Sequence, residues 1–492
     1  MASSSLLALF WFRRDLRLAD NVGLFRALTE NDAVVPVFIF DKDILDELPK
    51  QDRRVAFLHG AVADLKTRLQ AAGSDLVVRH ARGREAIPAL VKEFGASAVF
   101  TNEDYEPDAH ERDAAVIHAL DAMGIPLRLF KDTVIFGNSE ILTKQGRPYT
   151  VFTPYKNAWR KALKPDHHAE APSTDHLQSL KKVDGGKLPT LEALGFTPLS
   201  SKDPHPEPTP DGAQKRLDRF VAKVIGGYKQ SRNLPAVPGT SYLSVYNRFG
   251  LLSVRHLVRA SLKAIEANKG TAREGAETWL SELIWRDFYF QFLYHHPTAV
   301  DGPYREEYTA LEWENDDGLF QAWCDGKTGY PLVDAAMAQI NSTGYMHNRL
   351  RMVTASFLTK DLLVDYRKGE AYFALALIDY DQAANNGGWQ WAASTGCDPQ
   401  PYFRIFSPSR QSERYDPDGV FIKRFLPVFK DVPGKYLHAP WEHTAKLAEY
   451  GIELGKQYPK PVVDHDERRL KALAIFKAAR ASKGMPDEAA AD

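Results

Sequence analysis

Over residues 1–131, short apolar runs alternate with amphipathic stretches, and that alternation restricts the fold more than any other feature of the chain. Leu6–Phe12, Val34–Phe40, Asp75–His80, Ala98–Asn102 and Pro126–Lys131 read as strands. Between them, Arg53–Ala72, Arg84–Phe94 and Asp108–Met123 read as helices. Gly73, Gly95 and Gly124 follow those three stretches, where a left-handed residue ends a helix. Strands joined through helices pair in parallel, and the helices cover both faces of the sheet. The expectation is an α/β domain with a doubly wound parallel five-stranded sheet.

The texture then changes. Residues 132–210 look irregular and end in the proline-rich stretch Pro198–Pro210, where repeated prolines disfavour helix and central strand alike. They are expected to form a long interdomain connector. From Ala213 onward the apolar pattern is helical, most clearly in Glu277–His295, Leu332–Gly344, Asn348–Asp365 and Glu370–Ile378. A larger all-α domain is expected over 211–478, with a loose tail over 479–492. A chain of 492 residues makes two domains the natural division.

Composition removes several classes. The formal net charge of −1 argues against a broadly basic coat, although a local basic patch stays open. Cys324 and Cys397 are the only cysteines, so neither a disulfide framework nor a four-cysteine zinc site can be built. The start of the chain runs from apolar residues straight into Arg13-Arg14-Asp15 and reads as a strand, not a signal peptide. No apolar run approaches the roughly 20 residues of a membrane span. A cytoplasmic setting without membrane contact is expected.

No phosphate-binding glycine fingerprint follows the first strand, where Phe12-Arg13-Arg14-Asp15-Leu16-Arg17 stands instead. The unusual residues lie in the helical part. Helical spacing aligns Glu282, Trp285, Arg286 and Tyr289 on one face. An acid, an indole and a guanidinium together can grip a flat polar ligand, or they are an amphipathic helix with an i, i+4 ion pair. Asn348, Arg349 and Met352 begin another helix, in which Arg349 and Arg351 offer phosphate contacts; a solvated basic turn is the alternative. Asp379 and Asp381 precede Asn385-Asn386-Gly387-Gly388-Trp389-Gln390-Trp391. The glycines permit close approach of backbone to a ligand, and the alternative is an amide-rich loop. Metal binding needs more hard ligands than this segment supplies, so no metal is expected. Tyr228, Arg232 and Thr240-Ser241-Tyr242-Leu243-Ser244 form a polar cluster before a helix, suited to a phosphate or to simple N-capping. Together these residues describe a ligand-binding helical domain that contacts nucleic acid.

The runs Trp279–Tyr289, Phe320–Pro331, Met346–Arg349 and Asp379–Trp391, with the opening Trp11–Arg17, resemble the photolyase/cryptochrome family in sequence and in order. The resemblance implies an α/β antenna domain joined to a helical domain that binds FAD, reduced in its active form. It implies that Tyr228, Thr240, Ser241, Leu243, Ser244, Trp279, Arg286, Asn348, Asp379, Asp381 and Asn385 hold FAD, with Asn385 facing flavin N5. Arg232, Glu282, Trp285, Asn348, Arg349, Met352, Trp391 and Gln411 would contact the lesion or its DNA. Photolyases are themselves among the enzymes known to extrude a target base. Glu282 would hydrogen-bond a flipped pyrimidine dimer held between Trp285 and Trp391. The implied activity is light-dependent repair of cyclobutane pyrimidine dimers by electron transfer, with damaged DNA as partner and a monomeric enzyme. The alternative is a cryptochrome-type photoreceptor without repair.

Met352, and the absence of histidine from Asn348 to Met352, favour dimer repair over repair of (6-4) photoproducts, and class I within the family. The family's surface-to-flavin relay of three tryptophans maps onto Trp389, Tyr366 and Trp313, with tyrosine in the middle position. Tyr242 stands where an arginine is common. In place of the family's folate-contacting Asn-Glu pair the chain has Asp108-Ala109. Arg54, Asp104 and Glu106 are the antenna candidates, for 8-hydroxy-5-deazaflavin or 5,10-methenyltetrahydrofolate.

Overall fold

The computed structural model describes residues 6–199 and 206–486, and the expected connector and tail reach outside that range. Two compact units form, one from residues 1–229 with 241–295, the other from 230–240 with 296–492.

In the first unit five strands, β1 (Leu7–Phe12), β2 (Ala33–Asp41), β3 (Val77–Ala81), β4 (Ala98–Asn102) and β5 (Leu127–Phe130), pair in parallel in the order β3-β2-β1-β4-β5. The chain starts in the middle, winds to one edge, then crosses to the other. Every residue of β1 and β4 is buried, as helices on both faces require. The expected helices form over Arg53–Ala71, Gly83–Phe94 and Pro107–Asp121, and the second ends on Gly95 at φ 66°. A further helix, Val22–Glu30, is buried through Leu24, Ala27 and Leu28.

The connector is less irregular than the sequence suggests. Phe152–Ala162 is a helix that buries Phe152, Tyr155 and Trp159. Pro154 lies in its first turn, where a missing N–H costs nothing, so the proline that looks like a breaker is compatible with the helix. Trp159 Nε1 donates to Asp287 Oδ2 at 3.0 Å, and the backbone N–H groups of Ile135 and Phe136 donate to the same oxygen.

A buried ionic network explains why residues 241–295 fold with the N-terminal unit. Arg255, on the Val254–Ala267 helix, binds Asp20 at 2.9 Å and Asp132 at 2.8 Å, while Arg17 binds Asp132 at 2.6 Å and Arg259 binds Asp20 at 2.8 Å. Burial pushes Asp132 up, but Arg17 and Arg255 outweigh it and hold the carboxyl at about 2.

Asp287 behaves oppositely. Burial pushes its carboxyl up to about 6, against the bonds from Trp159, Ile135 and Phe136 and the charge of Arg286. A folded-state value above the unfolded one, near 4, stabilises the fold at low pH and loses that contribution as pH rises through 6. Asp287→Asn should therefore melt with a flatter pH dependence between pH 4 and 7, the difference amounting to about 3 kcal/mol. Melting curves of both proteins across that range check it; parallel curves would contradict the assignment.

The second unit is helical, with a core that includes Trp323, Met337, Leu350, Leu358, Phe373 and Trp389. The stretch expected as one helix from Asn348 to Asp365 is α-helical over Asn348–Ser356 and then widens into a π turn over Phe357–Asp361. An inserted π turn shifts the following side chains by one position, and periodicity alone does not reveal it. The stretch left open as an amide-rich loop is a helix, Gln382–Ala393, whose N-cap is Asp381. The last helix, His465–Ser482, runs on beyond Ala478, where the tail was expected to loosen. Buried Arg480 holds it there by donating to the Pro486 carbonyl at 2.8 Å.

Candidate flavin and nucleic-acid site

The expected site residues fall into both units. In the first, the Gly270–His295 helix carries Trp279, Glu282, Trp285 and Arg286. Trp279 is buried against Phe220 at 4.9 Å, and Phe220 meets Tyr228 at 5.7 Å. One face of the Trp285 indole is covered by Phe152, with ring centroids 3.6 Å apart and planes within 7°. Tyr289, one turn on, lies 5.4 Å from the same indole. Glu282, Trp285 and Tyr289 are each partly exposed. Phe152 escaped the sequence reading because it lies in the presumed connector; its signal was the spacing Phe152, Tyr155, Trp159.

Arg286 turns elsewhere. It donates to the Thr133 carbonyl, lies 4.6 Å from the Phe290 ring, and lines a cavity of about 20 Å³ with Arg14, Arg17, Asp132 and Asn247. In the next segment Leu243 is buried, Ser244 is exposed, and the Ser241 hydroxyl accepts from the Leu243 N–H at 3.4 Å. Tyr242 has φ 54° and packs its ring 5.6 Å from the Arg216 guanidinium.

Two antenna candidates meet on one arginine: Arg14 binds Asp104 at 3.1 Å and Glu106 at 2.9 Å. Burial opposes ionisation of Asp104, but the guanidinium of Arg14, with those of Arg13, Arg112 and Arg248, holds its carboxyl well below the usual range. Arg54 Nε donates to Asp52 at 3.0 Å. Nucleotides in such sheets bind at the point where the strand order reverses, here between β1 and β4. Arg13 clamps Asp113 with bonds of 2.6 and 2.7 Å, and the guanidinium groups of Arg13 and Arg112 each sit 5.1 Å from the buried Trp11 ring.

In the second unit Asn348 Nδ2 reaches Met352 Sδ at 4.0 Å, as the i, i+4 spacing requires. Arg349 is held by Asn233 Oδ1 at 2.9 Å and lies 4.5 Å over Tyr415, which Arg414 approaches at 5.3 Å. Arg232 and Arg414 both act on Arg349, whose own charge burial disfavours first. Tyr415 and Arg414 were missed; a lone Arg-Tyr pair at a helix end carries no sequence signal. Arg351, expected to offer a phosphate contact, is instead committed to both oxygens of Asp379, at 3.0 and 2.8 Å. The buried carboxyl of Asp379, three residues before the Gln382–Ala393 helix, captured it.

Asn385 donates to the Glu370 carbonyl at 3.2 Å, while buried Asn386 donates to Glu370 Oε1 at 3.1 Å and to the Ala299 carbonyl at 3.0 Å. Burial pushes the Glu370 carboxyl up to about 7, against the Asn386 bond. Glu370 was missed because an acid inside an amphipathic helix usually faces solvent. Trp389 is buried and Trp391 partly exposed beside Phe406 at 6.4 Å. Trp313 packs on Phe476 at 6.0 Å, and Tyr366 is fully buried.

Two polar atoms bear on whether FAD fits. Thr240 Oγ1 and Gln411 Oε1 are buried with no hydrogen-bond partner among the described residues. A buried hydroxyl with nothing to bond is costly unless a ligand satisfies it, and a phosphate oxygen would do so at Thr240. The Thr240 hydroxyl therefore fits a phosphate of the cofactor. No group of three or more His, Cys, Asp or Glu could hold a metal ion among the described residues, and no helix there is long and apolar enough to cross a membrane.

Family models described as "DNA photolyase" and "FAD binding domain of DNA photolyase" match residues 8–174 and 279–478. A deoxyribodipyrimidine photo-lyase of Synechococcus is 39% identical over 490 residues, covering 97% of this chain and 98% of its own. The crystal structure of a class III photolyase from Agrobacterium tumefaciens superposes with TM-score 0.88 at 35% identity, over 98% of this chain and 99% of that one. A cryptochrome of Synechocystis superposes with TM-score 0.84 at 27% identity, over 96% and 100%. With matches that run almost end to end, and with both halves of the architecture accounted for, this chain belongs to the DNA photolyase family.

Proposed function

We propose that the protein binds FAD and repairs cyclobutane pyrimidine dimers in DNA under blue light. The observation that carries the reading is the Trp285 shelf. One indole face is already stacked on Phe152, so the residue is rigid before any ligand arrives, and Glu282 stands one turn earlier on the same helix. A preorganised aromatic shelf beside an acid suits a flipped base that must be both stacked and hydrogen-bonded. Reduced FAD, when bound, supplies the electron that opens the dimer; the protein supplies position and electrostatics.

In this reading the first unit offers Tyr228, Ser241, Leu243, Ser244, Trp279 and Arg286 to the cofactor, and the second unit offers Thr240, Asn348, Asp379, Asp381 and Asn385. Thr240 gives its orphan hydroxyl to a phosphate. Asp379 acts through Arg351, which it orients. Asn385 is fixed by the Glu370 carbonyl, leaving its amide oxygen for the ligand. Arg232, Arg349 and Arg414 offer positive charge to phosphates, so affinity for DNA falls as salt rises. Trp391, Met352 and Gln411 are the second unit's candidates for contact with the lesion. Arg14, Asp104, Glu106 and Arg54 form the antenna region, for a deazaflavin or a folate. The expectation of class I stands beside a class III relative at 35% identity, and the residues named here bear on the substrate, not on the subclass.

The test is loss of dimers from irradiated DNA under blue light. Glu282→Gln should lower repair per photon severalfold while flavin content stays at the wild-type level. Equal loss of both would make Glu282 structural. The cryptochrome relative supports a second reading, a photosensor; a flavin-loaded protein that removes no dimers would decide for it.

A further inference from the structure

A second aromatic path leads away from Trp389. The indole of Trp323 packs on that of Trp389, with centroids 6.1 Å apart at 70°, and Trp323 is completely buried. Tyr372 packs on Trp323 at 5.5 Å and is partly exposed, so the three rings run from core to surface. The Tyr372 hydroxyl donates to Asn341 Oδ1 at 2.6 Å, in an exposed setting, and to the Cys324 carbonyl at 3.2 Å.

Tyr366 has no such outlet. Its hydroxyl is buried, and its nearest polar neighbour in charge and hydrogen bonding beyond Glu370, the Thr395 hydroxyl, is itself buried with no other hydrogen-bond partner among the described residues, so the pair opens no path to solvent. Glu370, the carboxylate nearest in charge to it, is engaged by Asn386. Oxidising a phenol requires its proton to leave. Burial, and then the field of Glu370, push the Tyr366 phenol well up, and the buried Thr395 hydroxyl beside it passes a proton no further among the described residues. Burial also pushes Tyr372 up, to about 12, yet its proton already lies along a bond that ends at the surface.

We propose that electrons reach Trp389 through Trp323 and Tyr372, not through Tyr366. The proposal rests on the photolyase reading, in which Trp389 adjoins the flavin. Trp389 loses one electron to the light-excited flavin and recovers one from Trp323. Trp323 recovers one from Tyr372, whose phenolic proton leaves by way of Asn341 to water. A soluble thiol returns one electron and one proton to Tyr372. Tunnelling falls steeply with distance, so a chain of packed rings carries charge where a single long step does not.

The experiment uses the purified flavoprotein in its oxidised form, illuminated with dithiothreitol. Flavin bleaching is followed by absorbance, and the terminal radical by time-resolved electron paramagnetic resonance. Trp323→Phe and Tyr372→Phe should each slow photoreduction at least about tenfold and remove the tyrosyl signal, while Tyr366→Phe keeps the rate within about twofold. The reverse pattern overturns the proposal, as does wild-type behaviour in Tyr372→Phe, a surface change that folds even if Trp323→Phe does not. Repair by chemically reduced enzyme should be the same in all four proteins. Flavin-loaded wild type that photoreduces but repairs nothing sinks the repair reading and leaves the relay standing.

Discussion

Arg255→Met should destabilise the first unit by about 3 kcal/mol or more, the largest loss expected from any single change in its ionic network. The side chain is 7% exposed, and so is Asp20, while Asp132 is 2% exposed. Removing the guanidinium leaves two carboxylates in a site that water does not reach. Arg17 and Arg259 still touch one each, which keeps the cost at the lower end of the range for a broken buried pair. The pH dependence has a definite sign. Both aspartates are held below their unfolded value, so their contribution is present above pH 4 and is lost as pH falls through the folded value, about 2 for Asp132. Without Arg255 both folded values rise, and acid unfolding should begin at higher pH than in the parent. Arg255→Lys keeps the charge but cannot fork between two acids, and should fall between. Thermal and acid unfolding followed by circular dichroism measure all three; an Arg255→Met protein that melts with the parent would show that the network contributes nothing.

The α/β half was legible because its signals are local. Strand runs, helix spacing and the terminating glycines each act over a few residues, and β1 to β5 form within a residue or two of the expected places. What stayed hidden depends on contacts far apart in sequence. Nothing near Asp287 says that Trp159 will cap it, and nothing near Phe152 says that Trp285 will stack there. At the candidate site the residue types were readable and several partners were not. Arg351 looked available for phosphate because its captor, Asp379, lies 28 positions away. No local pattern marks Trp323 as a link, because the path from Trp389 to Tyr372 joins three separate helices. The π turn at Phe357–Asp361 follows the same rule: it is held by distant partners, Lys360 donating to the Ala393 carbonyl and Asp361 pairing with His465, not by sequence pattern.

Gly369→Ala should harm a helix that alanine would ordinarily favour. Gly369 lies inside the Tyr366–Ala376 helix, where exchanging glycine for alanine gains about 1 kcal/mol of propensity. A Cβ added there, however, would stand 2.1 Å from Trp389 Cη2 and 2.5 Å from Leu358 Cδ2. Neither neighbour is the loose end of a flexible chain: Trp389 is 2% exposed and Leu358 fully buried. Overpacking of this kind costs about 1–3 kcal/mol, and an overlap this deep belongs at the upper end, so the steric cost wins over propensity. The indole must tilt or withdraw, and the displacement falls on the ring that meets Trp323 and Phe373. The expected result is a net loss of about 2 kcal/mol in stability together with altered flavin photoreduction, whichever onward path the electrons take. Gly369→Ser, slightly larger, should be worse on both counts. A Gly369→Ala protein that is more stable than the parent and photoreduces at the same rate would mean that the helix can shift as a body, and that Trp389 is not held where its packing places it.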